Sequence, residues 1–138
     1  VDTKVQAHVA YELGYHIVWI PKYRRKVFVD GVSKYLEKVI KTSVIDRYPD
    51  VHIHEINIQK DHVHALIEIQ QKYSISSVVG YIKGISSKKL RMHFEFLQHA
   101  RSLWANGFFV SSVGRNEETI RKYIKYQNSN DFGQAKLV

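Results

Sequence analysis

Two histidines separated by one residue, His62 and His64, are the side chains in this sequence best suited to binding a metal. In a β-strand, residues i and i+2 point to the same face, so both imidazoles would project side by side. The intervening Val63 would then point to the opposite face, into apolar packing. Two neutral imidazole nitrogens at that separation can bind one divalent cation. The pattern therefore indicates a candidate metal site on a strand.

The spacing alone does not settle the matter, because histidines on the polar face of a strand have it too. A second pair, His52 and His54, has the same spacing. The surroundings distinguish the pairs, since Asp61 directly precedes His62 and the run ALIEI follows His64. The chain has no cysteine, so any metal must use His, carboxylate, amide or water ligands. We take the pair that follows Asp61 as the candidate site.

Tyrosines near the end of the sequence offer a possible nucleophile. Tyr123 and Gln127 are four residues apart, so on a helix they would share one face. Tyr126 lies about 60° around the helix axis from Tyr123 at 3.6 residues per turn. Periodicity does not decide which tyrosine matters, and amphipathic packing is an alternative role for either. A phenol with a pKa near 10 attacks only when its deprotonation is assisted or its transition state is stabilised.

The charge balance predicts an anionic partner. Lys and Arg number 21 against 13 Asp and Glu, a formal charge of +8, and the pI is about 9.6. Nucleic acid rewards such clustered charge through counterion release. The basic residues concentrate in the loop Lys22–Lys26 (KYRRK) and on one face of a later helix, where a merely solvated charged face is the alternative. The candidate DNA-binding residues are Lys22, Tyr23, Arg24, Arg25, Lys83, Lys88 and Arg91.

Hydrophobic periodicity predicts the element order β-α-β-β-α-β-α. Strands are predicted over Tyr15–Ile20, Val51–Ile58, Val63–Ile69 and Phe108–Val113. Helices are predicted over Val32–Tyr48, over Tyr73–Phe94 with Ser74 or Ser76 as the cap, and from Asn116 to about Asn128. The second strand has a slip in its alternation near Glu55, and Lys60-Asp61 forms a tight connection, so the second and third strands should form a hairpin.

This order predicts an α+β, ferredoxin-like fold, the split βαβ arrangement. A four-stranded antiparallel sheet would carry two helices on one face, with a further C-terminal helix bearing the tyrosine. The 138 residues suit a single domain over 1–138, with a core of about 12–128 and a polar tail over 129–138. No apolar run approaches the roughly 18 residues that span a bilayer, and no signal peptide is evident. We expect a soluble cytoplasmic protein.

Several segments together resemble the small single-tyrosine transposases of IS200-like insertion sequences, which belong to the HUH nucleases. The ordered combination of KYRR, HVH, LW-x-x-G-x-F and Y-x-x-x-Q carries the resemblance, which covers nearly everything from Tyr15 to Gln127. The matching stretches are YHIVWIPKYRRKVF, KDHVHALIEI, KYSISSVVGYIKGISSKKL, LWANGFFVSSVG and TIRKYIKYQ.

The resemblance implies a role for each matching residue. His62 and His64 match the metal-binding pair, and Gln127 resembles a third ligand. Asp61 stands where the family has an acidic residue, which is either a ligand or an orienting group. Tyr123 matches the nucleophile, because it stands four residues before the glutamine. Imidazole with oxygen ligands suits Mg²⁺ or Mn²⁺, and zinc is not required.

The resemblance also implies the reaction and the assembly. The tyrosine would cleave single-stranded DNA at the ends of a mobile element, form a 5′-phosphotyrosine bond and rejoin the strand without ATP. The partners would be single-stranded DNA, with hairpin ends, and a second copy of the chain in a homodimer with composite active sites. Two alternatives from other classes are a non-catalytic module that binds single-stranded nucleic acid and a metal-dependent nuclease that uses water.

Overall fold

A four-stranded antiparallel sheet forms the centre of the structure, a computed structural model that describes residues 14–112. The strands β1 to β4 lie in the order β2-β3-β1-β4 and span Gly14–Trp19, His52–Gln59, His62–Glu68 and Phe109–Ser112. Helix α1 (Asp30–Arg47) connects β1 to β2, and helix α2 (Ile75–His93) lies between β3 and β4. One antiparallel strand separates the two strands that each helix connects. The predicted α+β, split βαβ fold is confirmed.

The hydrophobic core lies between one face of the sheet and both helices. Strict alternation along β1 and β3 sends every second residue into this core, because successive side chains of a strand point to opposite faces. The helices contribute residues spaced three and four apart, as expected for amphipathic helices. The strand residues of the core are Ile17, Trp19, Val63, Ala65 and Ile67, and the helical ones include Leu36, Ile40, Val44, Val78, Val79 and Ile82. The opposite face of β1 and β3 carries His16, His62 and His64 together with the apolar Val18 and Leu66.

The predicted boundaries differ from the observed ones by one or two residues. The slip near Glu55 is confirmed as a break in the β2–β3 register between Ile53 and Glu55. Of the two serines expected as the cap of α2, Ser74 and Ser76, the structure has Ser74, whose Oγ accepts a hydrogen bond of 3.0 Å from the amide of Ser77. The register break returns Ile56 to the same face as the core residues of β3, opposite Ala65. Local sequence pattern therefore accounts for these elements.

The KYRRK loop contains a short 3₁₀ turn, Lys22–Arg24, that the segment before β4 contacts. The amide of Lys22 donates to the carbonyl of Leu103, and the amide of Ala105 donates to that of Ile20, each at 2.9 Å. Trp104 in this segment is buried in the core. The turn is thereby fixed against the end of β1.

The predicted third helix, with Tyr123, Tyr126 and Gln127, lies outside the described residues, as does the tail over 129–138. The extent of the single domain over 1–138 therefore stays a prediction. Within residues 14–112, neither helix is long and apolar enough to cross a bilayer.

Candidate metal and DNA site

The His62 and His64 side chains lie on the sheet face opposite the helices. Both belong to β3, where Val63 between them is fully buried in the core and the two imidazoles are half-buried. The alternation of β3 produces this arrangement, because residues 63, 65 and 67 fill the core. The predicted orientation of the pair is confirmed. The two imidazoles thus project from neighbouring positions on the same face of one rigid strand, which suits binding of a shared ligand.

Asp61 connects His62 to the basic turn. Its Oδ1 lies 3.0 Å from Nδ1 of His62, and its Oδ2 accepts a hydrogen bond from the guanidinium of Arg24. Burial raises the pKa of the Asp61 carboxyl, but the hydrogen bonds from His62 and Arg24 and the charge of Arg24 outweigh it, so the pKa is lowered. Asp61 is therefore a carboxylate with both oxygens engaged. These contacts favour an orienting role over a ligand role, because a hydrogen bond to Nδ1 leaves Nε2 of His62 for a metal.

His16 lies beside the candidate site and was not predicted from the sequence. It lies on β1, is 6% exposed, and places its Nδ1 3.1 Å from Nε2 of His64. In the antiparallel register Val18 is opposite His64 and Leu66 is opposite His16, so the two histidines meet diagonally across the strands. A signal existed, because the alternation that buries Ile17 forces His16 onto the other face. The strand pairing that brings it to His64 is non-local and is not encoded in either segment alone.

The donor set of the described residues fits part of a metal site. No group of three His, Asp or Glu side chains within residues 14–112 is arranged to bind one ion. The two imidazoles of β3 would therefore need a further ligand, and Gln127, the residue that the resemblance implies, lies outside the described residues. Imidazole nitrogen with amide oxygen is a donor set compatible with Mg²⁺ or Mn²⁺.

The second His-x-His pair has a different environment. His52 and His54 are exposed on β2, and His54 lies at the register break, with its Nε2 3.0 Å from Oε1 of Glu68. The carboxylate beside this pair belongs to Glu68, which is opposite His52 in the strand register, and not to Asp61. This pair is therefore a suitable control for experiments on His62 and His64.

The predicted DNA-binding residues divide into two groups by their contacts. Lys22, Tyr23, Arg25 and Lys88 are exposed. The head groups of three others bind other parts of the chain, which gives them a structural role in addition to any role in DNA binding. Arg24 contacts Asp61, Lys83 Nζ donates to the carbonyls of Ala105 and Gly107 at 2.7 and 2.8 Å, and Arg91 donates to those of Ser87 and Ala100.

Burial lowers the pKa of Lys83 from its ordinary value. Its ammonium nevertheless binds two carbonyls that come immediately before β4. Removing Lys83 would therefore leave two carbonyls without their donor. A loss of DNA affinity in such a variant would not by itself identify a DNA contact, and the exposed residues are better probes.

Residues 9–127 match the sequence profile of the IS200-like transposases. The chain is 37% identical over 133 residues to the transposase for insertion sequence element IS200 of Salmonella typhimurium, a match that covers 94% of this chain and 86% of that protein. Both comparisons extend through the stretch that contains Tyr123.

Solved structures share the fold. A crystal structure at 1.90 Å of a transposase candidate from Deinococcus radiodurans R1 superposes with a TM-score of 0.74 at 26% identity and covers 83% of this chain and 90% of that one. The REP-associated tyrosine transposase bound to a REP hairpin gives a TM-score of 0.57 at 17% identity, over 83% of this chain and 65% of that one. At this lower identity the likeness concerns the fold alone.

Proposed function

This chain belongs to the IS200-like transposase family, and from that premise we propose that it cleaves and rejoins single-stranded DNA at insertion-sequence ends through a 5′-phosphotyrosine intermediate, with a divalent metal. The observation that carries the proposal is the pair His62 and His64. They share one face of β3, and Asp61 forms a hydrogen bond with Nδ1 of His62. A non-catalytic module that only binds single-stranded nucleic acid would not require such an arrangement.

The proposed reaction begins when the Tyr123 phenol gives up its proton and its oxygen attacks a backbone phosphorus. The phosphorus–O3′ bond breaks, the departing O3′ takes up a proton, and the DNA 5′ end remains bound to Tyr123 as a phosphodiester. Attack by another 3′-hydroxyl on that phosphorus reverses the exchange and releases the tyrosine. One phosphodiester forms for each one broken, so no ATP is required. Mg²⁺ or Mn²⁺, when bound, supplies Lewis-acid polarisation of the phosphate and stabilises the developing charge.

The first test uses rejoining. The substrate is a labelled single strand of the DNA that borders this chain's coding sequence. It is incubated with the protein, Mg²⁺ or Mn²⁺ and an acceptor strand with a free 3′-hydroxyl. We expect a joined product without ATP. A nuclease that uses water would release cleaved strands that never join, and a binding module would leave the strand intact.

Within this site, Asp61 and His16 would hold the two metal-binding imidazoles in place. Each contacts one ring nitrogen, Asp61 that of His62 and His16 that of His64. Such outer contacts fix the tautomer and the ring plane of a ligand, and their loss lowers metal affinity about 10- to 100-fold. His16 would act through His64, because it forms no three-residue group with the β3 pair within the described residues.

We expect His16→Leu to weaken Mn²⁺ binding about 10- to 100-fold, because the His64 ring loses its contact with His16. The loss of free Mn²⁺ signal in an electron paramagnetic resonance titration measures this directly, without reference to activity. His16→Gln keeps a polar group that can accept a hydrogen bond, so it should recover part of the affinity. A folded His16→Leu protein with unchanged Mn²⁺ affinity would exclude the positioning role.

The proposed DNA partner accounts for the exposed basic residues. We expect the double variant Lys22→Ala, Arg25→Ala to reduce the salt dependence of single-strand binding by about 0.7 in log–log slope for each lost phosphate contact. Fluorescence anisotropy at several salt concentrations measures the slope. The control pair Lys38→Ala, Lys41→Ala removes the same charge from exposed positions of α1. If both double variants have the same salt slope, the effect comes from net charge in general, and phosphate contacts by Lys22 and Arg25 are excluded.

The proposed partners also include a DNA hairpin and a second subunit. The structural neighbour with a bound REP hairpin indicates that this fold can accommodate a hairpin. A homodimer with composite sites would combine Tyr123 of one subunit with His62 and His64 of the other.

A further inference from the structure

An open cavity of about 250 Å³ lies between the basic turn and the segment that precedes β4. It is smaller than the roughly 300–1,000 Å³ of sites for drug-sized ligands, so it suits one nucleotide rather than a longer stretch. None of the described residues that line it is acidic. Its polar and aromatic lining consists of Lys22, Tyr23, Arg25, His99, Arg101 and Ser102.

Tyr23 occupies an unusual position for a large aromatic residue. Its φ of 59° lies in the left-handed region, followed by Arg24 with φ 50°. Its side chain is 67% exposed, so the ring does not offset this conformational cost by packing in the core. Left-handed conformations of residues other than glycine are strained and cluster at ligand-binding sites. The turn thus leaves the Tyr23 ring, which lines the cavity, largely exposed to solvent.

Two cations accompany the Tyr23 ring. Lys22 Nζ lies 5.5 Å and the Arg25 guanidinium carbon 5.6 Å from the ring centroid. Arg101, an exposed residue of the segment that lines the cavity, adds a third positive charge. An aromatic face for a base together with cations for its phosphate is the combination by which proteins bind single-stranded nucleic acid.

The basic turn, which supplies part of the cavity wall, also contacts the candidate metal site through a residue outside that wall. Arg24, in the same turn as Tyr23, contacts Asp61, and Asp61 in turn contacts His62. The amide of Phe28, just after the basic loop, also donates to the carbonyl of Lys60 at 3.1 Å. A strand whose phosphate reaches His62 would therefore pass close to the Tyr23 turn.

We propose that this cavity binds one nucleotide of the single strand beside the cleaved phosphate, with the base stacked on Tyr23 and its phosphate bound by Lys22, Arg25 and Arg101. The proposal rests on the proposed function and adds to it a specific base position. It assigns the segment with His99, Arg101 and Ser102 to DNA binding, which the basic motif alone does not indicate.

The test couples the protein residue to one DNA position. Single strands that border this chain's coding sequence are made with one abasic site at each successive position, and binding is measured by anisotropy without metal. For the wild-type chain, we expect one position to lose affinity by roughly 5- to 150-fold, the range for a stacked base. Tyr23→Asn, which tolerates the left-handed conformation but lacks the ring, should weaken the intact strand by a similar factor.

In Tyr23→Asn, the abasic site at that one position should have no further effect, while other positions keep theirs. Tyr23→Phe should bind like wild type, and Phe96→Leu is the control for an exposed aromatic outside the cavity. If the effect of Tyr23→Asn on affinity multiplies with the effect of the abasic site at every DNA position, the proposed nucleotide pocket is overturned. Because binding is measured without metal, this result is separate from cleavage: coupling without cleavage would refute only the proposed function, and cleavage without coupling would refute only the pocket.

Discussion

The double variant His62→Ala, His64→Ala is expected to lose metal-dependent strand cleavage by about three orders of magnitude, since a metal at a phosphate supplies several kcal/mol of transition-state stabilisation. Both side chains lie on the face opposite the core, and Val63 between them keeps its buried position. The fold should therefore survive the change. Cleavage of labelled single-stranded DNA across a range of Mn²⁺ concentrations measures the effect.

The matched control is the double variant His52→Ala, His54→Ala. This control removes two imidazoles with the same spacing from β2, where His54 contacts Glu68 and the strand register is broken. We expect this control to cleave at nearly the wild-type rate. If the His62→Ala, His64→Ala protein is folded and keeps the wild-type metal dependence, the metal site has been misassigned.

Replacing Tyr123 by phenylalanine is expected to abolish the covalent protein–DNA adduct. The change removes only the phenolic oxygen, so folding and DNA affinity should be retained. Tyr126→Phe is the control. Tyr126 does not stand four residues before Gln127, so this variant should keep most of the activity. Denaturing gels with labelled DNA measure the adduct, and binding assays confirm that the variants still bind DNA. Loss of the adduct in Tyr126→Phe instead would reassign the nucleophile.

Mixing two inactive proteins tests how the proposed subunits share their sites. In a composite dimer, one subunit with Tyr123→Phe and one with His64→Ala produce one site with both defects and one site with neither. Verified heterodimers should therefore recover cleavage. If each site is built within one subunit, every site carries a defect and mixing restores nothing.

Local sequence pattern was sufficient for most of the fold within the described residues. The alternation of apolar residues in β3 predicted both the buried face and the face of His62 and His64, because the period of a strand is two. The same logic located the register break near Glu55. Core burial explains this success, since a shift of one residue would expose Val63, Ala65 and Ile67.

Contacts between distant segments could not be predicted in the same way. The approach of His16 to His64 depends on the register of β1 against β3, and the contact of Arg24 with Asp61 depends on where the basic turn folds. Lys83 looked like one of several cations on a helix face, yet its ammonium binds two carbonyls more than twenty residues later. Side-chain partners of this kind follow from tertiary packing rather than from periodicity.

A covalent bond between DNA and Tyr123 is the central feature of the proposed mechanism. The direct measurement incubates the wild-type chain with Mn²⁺ and labelled single-stranded DNA from the border of its coding sequence, denatures the mixture and digests the protein band that keeps the label. Mass spectrometry should find the nucleotide adduct on the peptide that contains Tyr123, attached to the phosphate at the DNA 5′ end. Cleaved DNA with no label retained by the protein, or an adduct on another residue, would contradict the proposed mechanism.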